Sequence, residues 1–399
     1  MTNTEARLDQ IRGPVPPRPH NARTIAALTS NPACVRRAIL DAAGVDKTKL
    51  AAAVGFAAPF GQSRFAITRG NAFEQQVKAN GCAELLRLLR EQLRLPIPEV
   101  SYDDLDEVAG NPSLPVRHAR TRQLLTRAAD SADDAGTLFD HPLLCLGVGG
   151  RLAFLEPDLI AFRLRGKFHV VEIKSFAAID GQADPDKVAA AAIQSAVYVL
   201  ALRQLLAESG RAADLVADEV FLVCPENFAN RPTAARLDVR KQLTVLRRQL
   251  SRLAFIAELV EAMPPEISLD LQPDAGGVPR RPVAELAEAL SVLPARYMPE
   301  CLASCEMCRF CREEGRAETA ALGRAVREDL GGVEYVETAL QLASGELAPA
   351  LGFSDAAALL RTAARLRLEG LAAAQSPVAA DSPAAAGSPS GPDSQQATA

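Results

Sequence analysis

Asp158, Glu172 and Lys174 have the residue types and spacing of a site that holds a cation or performs chemistry. They lie in EPDLIAFRLRGKFHVVEIK, residues 156–174, which reads as two strands joined by a tight turn at Arg165-Gly166. Val170, Val171 and Ile173 give the second strand its β-branched character. Glu172 and Lys174 are two apart, so strand alternation puts both side chains on one face. Asp158 precedes the first strand behind Pro157, and antiparallel pairing brings it beside Glu172. Two carboxylates and an ammonium are costly to gather in one small site unless they bind a cation or react. Hard oxygen donors suit Mg²⁺ or Mn²⁺. Lysine occurs only at 47, 49, 78, 167, 174, 187 and 241, so composition alone does not explain a lysine in an apolar strand.

The flanking sequence must position these groups. RGNAFEQQVKANG, residues 69–81, predicts a helix that carries Glu74, enters at Gly70-Asn71 and breaks at Gly81. A second amphipathic helix follows over 83–93, then a loop-rich stretch over 97–115 and a basic helix over 118–127. LLCLGV, RLAFLEPDLIAFRL and KFHVVEIKSF read as strands. DKVAAAAIQSAVYVLALRQLLAES is a long helix on which Gln194 and Tyr198 are i,i+4 neighbours and share a face. EVFLVC is a further strand, and Arg-rich helices are predicted over 234–263. The bland reading makes Glu172 and Lys174 a surface ion pair and Tyr198 a core residue. It leaves Asp158 and Gln194 unexplained.

The order of these residues resembles the PD-(D/E)xK nuclease superfamily, and its RecB-like branch in particular. Glu156-Pro157-Asp158 matches the second motif, Glu172-Ile173-Lys174 the third, and Gln194 to Tyr198 the QxxxY signature of the following helix. The resemblance implies an α/β fold: a restriction-endonuclease-like core with a mixed central sheet flanked by helices. It implies Asp158, Glu172 and the Ile173 carbonyl as metal ligands, and Lys174, Gln194 and Tyr198 as catalytic partners. Glu74 would be the acidic residue of the first helix and a further metal ligand, in place of the histidine ligand that many RecB-like members carry near it and this chain lacks there; the alternative is a solvated helix residue. The implied reaction is Mg²⁺- or Mn²⁺-dependent hydrolysis of DNA phosphodiesters, with a preference for single strands or ends. In such a reaction the ion polarises the phosphate and acidifies the attacking water. These residues fit exonuclease and endonuclease action alike, and RNA as well as DNA.

Cys301, Cys305, Cys308 and Cys311 form a C-x3-C-x2-C-x2-C run, and Cys34 stands alone upstream. Clustered cysteines in a cytosolic chain point to metal rather than disulfides, and four thiolates can hold Zn²⁺ or an iron–sulfur cluster. A subset of the RecB-like branch, including the CRISPR-associated adaptation nuclease and AddB-type nuclease domains, carries a 4Fe-4S cluster on one upstream and three downstream cysteines. By that resemblance Cys34 with Cys305, Cys308 and Cys311 is the first choice, with Cys301 next. The run departs from the family's usual C-x2-C-x5-C spacing. Such a cluster would clamp the helical extensions to the core; a zinc knuckle from the four late cysteines is the alternative. Cys82, Cys145 and Cys224 sit in apolar settings and read as buried small hydrophobes.

These segments divide the chain into a flexible, Pro-rich arm (1–22), a helical segment with Cys34 (23–64), a nuclease core (65–230), a helical region with the cysteine run (231–371) and a low-complexity, disordered tail (372–399). A net charge of −5 argues against a uniformly basic surface, though a local basic groove suffices for nucleic acid. Arg117, Arg120, Arg122 and Arg127, and Arg236, Arg240, Lys241, Arg247, Arg248 and Arg252, supply candidates for such a groove. No run reaches the ~20 apolar residues of a membrane span, and the N-terminus lacks a signal core, so the expected place is the cytoplasm. His20, His118, His141 and His169 show no catalytic spacing, and there is no Walker-type phosphate loop. Expected partners are DNA and other proteins of a repair or defence complex, with no membrane. The competing function is a non-catalytic nucleic-acid-binding or scaffold protein on a nuclease-like fold.

Overall fold

Ten strands and fifteen α-helices are found among the described residues of the computed structural model, which are 3–57, 64–97, 100–106, 110, 112–131, 137–149, 151–164, 166–227, 229–253 and 255–375. The strands are β1 (Ser101–Asp104), β2 (Thr137–Asp140), β3 (Leu144–Val148), β4 (Arg151–Leu155), β5 (Leu159–Leu164), β6 (Lys167–Ile173), β7 (Ala178–Ile179), β8 (Gln182–Ala183), β9 (Glu219–Pro225) and β10 (Pro232–Asp238). Six of them make one sheet in the order β1-β2-β5-β6-β9-β10. It is mixed: β1–β2 and β6–β9 run parallel, while β2–β5, β5–β6 and β9–β10 run antiparallel. The pairs β3–β4 and β7–β8 are separate small hairpins.

Helices cover both faces. In chain order they are α1 (Asn3–Arg12), α2 (Ala22–Leu28), α3 (Val35–Ala43), α4 (Lys47–Ala53), α5 (Arg64–Glu91), α6 (Leu114–Asp130), α7 (Pro185–Glu208), α8 (Arg240–Leu253), α9 (Ile256–Glu261), α10 (Val283–Ser291), α11 (Cys301–Ser304), α12 (Cys308–Glu314), α13 (Arg324–Asp329), α14 (Val336–Ser344) and α15 (Ser354–Gln375). Strand alternation sorts the core. Leu138, Leu159, Val171, Ile173, Phe221 and Val223 pack with Phe73, Val77, Leu85 and Leu88 of α5. Phe139, Ile160, Phe168, Val170 and Val220 turn the other way, onto α2, α7 and α8. α7 is long and apolar enough to cross a bilayer by length and composition, contrary to the sequence expectation. Ala192, Ala196, Val197, Val199, Leu202, Leu205 and Leu206 are instead buried in this core.

Several elements differ from the sequence reading. The expected flexible arm contains α1, whose Leu8 and Ile11 are buried; Arg12 donates to the Ala43 carbonyl at 2.9 Å, and Leu269 N–H to the Ile11 carbonyl at 2.7 Å. The expected loop over 97–115 contains edge strand β1. β10 replaces the start of the Arg-rich helix, because the buried strand β9 has an open edge whose backbone groups need partners. The break expected at Gly81 is present: Asn80, Gly81 and Cys82 all have positive φ inside α5. The turn residue Arg165 and the tail from 376 lie outside the described residues, while 372–375 still belong to α15.

The chain divides into two compact units, Met1–Arg316 and Ala317–Ala399. Within the second, α14 and α15 pack around Val333, Ala339, Leu342 and Ala357.

Candidate active site

β5 and β6 pair with Leu159 opposite Val171, so the register carried one residue outward sets Asp158 beside Glu172. Asp158 Oδ2 accepts the Ile173 N–H at 2.6 Å, which fixes the carboxylate across the strand end. The Lys174 N–H donates to the Val223 carbonyl at 2.8 Å, keeping this residue in sheet geometry beyond β6. Its ammonium pairs with Glu172 and donates to Gln194 Oε1 at 3.3 Å. Gln194 Nε2 in turn donates to the Tyr198 hydroxyl at 3.1 Å. Strand alternation and the i,i+4 pair on α7 thus bring together all five expected catalytic residues.

Burial sets the electrostatics. Glu172 is 0% exposed; the Lys174 ammonium pairs with its Oε1, and its Oε2 accepts no hydrogen bond among the described residues. Burial, then the neighbouring Asp158 charge, push its carboxyl up to about 8 against the pull of Lys174. Burial likewise raises Asp158, against Lys174. Lys174 itself is disfavoured by burial, but the two carboxylates outweigh that and raise its pKa. Burial and the same carboxylates push Tyr198 well up. A buried carboxylate pair with spare lone pairs and too little positive charge fits a divalent cation.

Glu74 is held a short way off. Its carboxylate pairs with Lys78, one turn along α5, and lies 3.5 Å from His141 Nε2. Burial pushes Glu74 up, but the hydrogen bonds from His141 and Lys78 outweigh it and bring it down to about 2. Lys78 also pairs with Asp140 at 2.6 Å, and the Tyr102 hydroxyl donates to the other Asp140 oxygen. His141 follows β2 with a positive φ, a conformation His tolerates better than most residues. Its carbonyl accepts Arg117 Nη2 at 3.0 Å, and Arg117 also donates to Glu156 at 2.9 Å. Arg117 is therefore a buried brace. Lys78, Asp140 and His141 were missed in the sequence; the i,i+4 spacing of Glu74 and Lys78 was the one readable signal.

The cysteine region joins α2 and α3 to the segment 293–314. Cys301, Cys305, Cys308 and Cys311 are buried and Cys34 is half-buried at the N-cap of α3. The four buried cysteines could bind a metal or cluster. Asn31 Nδ2 lies 3.3 Å from Cys301 Sγ, and Arg36 Nη1 lies 3.2 Å from Cys311 Sγ. Arg36 is itself buried and pairs with Glu314 at 2.7 and 3.0 Å. Burial pushes the Cys305 thiol up to about 12 and Cys311 up to about 11; Arg36 opposes the latter and nearby Cys34 adds to it. Thiols in such surroundings give up their protons to a bound metal. Cys82 and Cys224 are buried apolar residues and Cys145 is half-buried.

Compared with known proteins, the sequence matches no protein-family model and no curated protein.

Proposed function

We propose that the chain is a metal-dependent nuclease that hydrolyses DNA phosphodiesters on a restriction-endonuclease-like core of the RecB-like kind. The observation that carries this reading is Glu172: a fully buried carboxylate beside Asp158, with Lys174 as its one cation and an Oε2 that accepts no hydrogen bond among the described residues. Asp158, Glu172 and the Ile173 carbonyl would hold Mg²⁺ or Mn²⁺. When bound, the ion supplies polarisation of the phosphate and a more acidic water. Lys174, steadied between Glu172 and Gln194, orients that water and meets negative charge developing on the phosphate. Tyr198 fixes the Gln194 amide, and through it Lys174. Arg240, Lys241, Arg247 and Arg248 stay exposed on α8, available to single-stranded or end-bearing DNA.

A 4Fe-4S cluster on Cys34, Cys305, Cys308 and Cys311, with Cys301 the next candidate, fits the way Arg36, two residues from Cys34, reaches Cys311 Sγ at 3.2 Å from a distant part of the chain. Its purpose would be to clamp α2 and α3 to the segment around 293–314. The N–H groups of Asn31 and Arg36 near Cys301 and Cys311 suit thiolate ligands. Purification without oxygen, a visible spectrum and a metal count test the cluster: brown protein with iron and sulfide supports it, and colourless protein with stoichiometric zinc overturns it in favour of a zinc knuckle. Cleavage of labelled single- and double-stranded DNA with Mg²⁺ or Mn²⁺ tests the nuclease. Full cleavage by Asp158→Ala or Lys174→Ala overturns the assignment, and absence of cleavage with DNA still bound favours the scaffold alternative.

A further inference from the structure

A second set of metal-type donors lies where the edge of the sheet meets its neighbour, and strand pairing builds it. β1 and β2 run parallel with Asp104 opposite Asp140, so the two side chains share a face, and His141 follows directly. Asp104, Asp140 and His141 place one donor atom each within 4.8 Å of one another. His141 Nδ1 lies 3.2 Å from Asp140 Oδ1 and 3.8 Å from Asp104 Oδ1. Donors bound to one ion at about 2.1 Å stand about 3.0–3.4 Å apart, and the exposed Asp104 side chain has room to close the remainder. Asp104 Oδ1 also accepts the Asp106 N–H at 3.0 Å, a bond a carboxylate can keep while it ligates. Asp140 is 3% exposed. Its Oδ1 and His141 Nδ1 are buried atoms with no hydrogen-bond partner among the described residues. The Lys78 ammonium is a charge partner of Asp140 Oδ1 at 2.6 Å, but its other contacts are Glu74 and the opposite ring nitrogen, Nε2. Glu74, Asp104 and Asp140 outnumber that one ammonium, which leaves negative charge for a divalent ion to balance. Glu74 stands 3.5 Å from Nε2. A proton on Nε2 turned to this carboxylate leaves the Nδ1 lone pair for an ion, the usual support of a ligating imidazole.

We propose that Asp104, Asp140 and His141 form a second cation site, separate from Asp158 and Glu172, for a divalent ion of the Mn²⁺ or Zn²⁺ class. An imidazole beside two carboxylates favours these ions over Mg²⁺. The ion would tie the edge strand β1 to the end of β2. There the His141 N–H donates to the Asp158 carbonyl at 3.4 Å, so the same ion would steady the backbone of Asp158. The site stands on its own geometry and does not need the nuclease reading. The competing occupant is a proton on Nδ1, shared with the two carboxylates.

Mn²⁺ bound to the full chain, with its cysteine centre intact, is counted by equilibrium dialysis and read by electron spin-echo modulation, which detects nitrogen bound to the ion. The ligands expected from Asp158, Glu172 and Ile173 are all oxygens, so a nitrogen signal reports the second site alone. Glu172→Gln should keep one Mn²⁺ and its nitrogen signal. His141→Asn, which tolerates the positive φ at this position, should lose both. Asp104→Asn, on the exposed edge strand, should weaken the nitrogen-coupled ion by at least about tenfold. No nitrogen signal in the wild type at saturating Mn²⁺ overturns the proposal and leaves Nδ1 to the proton. A signal that survives in His141→Asn, or an unchanged affinity in Asp104→Asn, also overturns it. Should His141→Asn not fold, the wild type and Asp104→Asn still decide. A wild type with a single, nitrogen-coupled Mn²⁺ that Glu172→Gln keeps supports this site and overturns the metal reading of Asp158 and Glu172. A single Mn²⁺ without nitrogen, lost in Glu172→Gln, does the reverse.

Discussion

Asp41 and Glu172 are both buried carboxylates in the same unit, and their surroundings treat them in opposite ways. Asp41 pairs with Lys47 and, at 3.3 Å, with Arg37, both themselves buried. Burial pushes the Asp41 carboxyl up, but these two cations outweigh it and hold it below the ordinary carboxylate range. Glu172 has one cation, Lys174, and a second carboxylate, Asp158, working against it. A buried charge closed by the protein's own cations is construction. One left open, in a fold that can afford no stray charge, marks where an outside cation fits.

Substitution at the two positions should therefore separate activity from stability, and the largest effect belongs to Glu172. Glu172→Gln is expected to abolish Mn²⁺ binding beside Asp158 and lower cleavage by at least about 10³-fold, several kcal/mol at about 1.4 kcal/mol per tenfold. Its Tm in EDTA should hold or rise, since the amide is neutral without having to take up a proton on burial. Asp41→Asn should do the reverse. It leaves Arg37 buried without its counter-charge and Lys47 with only Glu306, 3.4 Å away, at a cost of about 3–5 kcal/mol read from urea unfolding, while cleavage per folded molecule stays unchanged. If Glu172→Gln destabilises as strongly as Asp41→Asn, the comparison fails.

The open site was easier to read in the sequence than the other polar clusters, for a physical reason. Asp158, Glu172 and Lys174 are positioned by period-2 alternation and one hairpin, and Gln194 and Tyr198 by one helical turn; both are local rules. The Lys78 cluster needs α5 to lie against β2, and TLFD is too short a strand to announce itself beside the polar residues before it. Arg36 and Lys47 read as ordinary helix-surface cations, and only packing of α3 and α4 against the cysteine segment buries them. β10 was hidden because Ala and Arg favour helix, and the unpaired edge of β9 overrode that preference.

Acidity offers a third way to sharpen the contrast, because the two carboxylates bias stability in opposite pH windows. The folded pKa of Glu172 lies near 8 against an ordinary 4.5, so between those values the native state binds the extra proton. Stability of the metal-free protein should then fall as pH rises through that window, by up to about 1.4 kcal/mol per pH unit for one proton. Mn²⁺ takes the proton's place, so its affinity should climb up to about tenfold per pH unit until the carboxyl has ionised. Asp41, with a lowered folded pKa, contributes stability above its ordinary value of 3.8 that is lost as pH falls through the folded one. Urea midpoints across pH in EDTA check both signs. Glu172→Gln should flatten the slope between pH 4.5 and about 8, and Asp41→Asn the more acid one.

The smallest expected effect is at the far end of the open site, where Tyr198 reaches Lys174 only through Gln194. Tyr198→Phe removes the hydroxyl that accepts Gln194 Nε2. Because Gln194 is only half-buried, water can replace that partner, and the loss should be about 1 kcal/mol in stability and no more than about tenfold in cleavage. Lys174→Ala removes the ammonium itself and should cost about 10²–10³-fold. The order Lys174 above Tyr198 follows from a chain of contacts in which each link passes on only part of the positioning. A Tyr198→Phe protein as impaired as Lys174→Ala, with unchanged Tm, would mean that the hydroxyl touches the substrate directly. The tyrosine would then have to be counted among the groups that meet the phosphate.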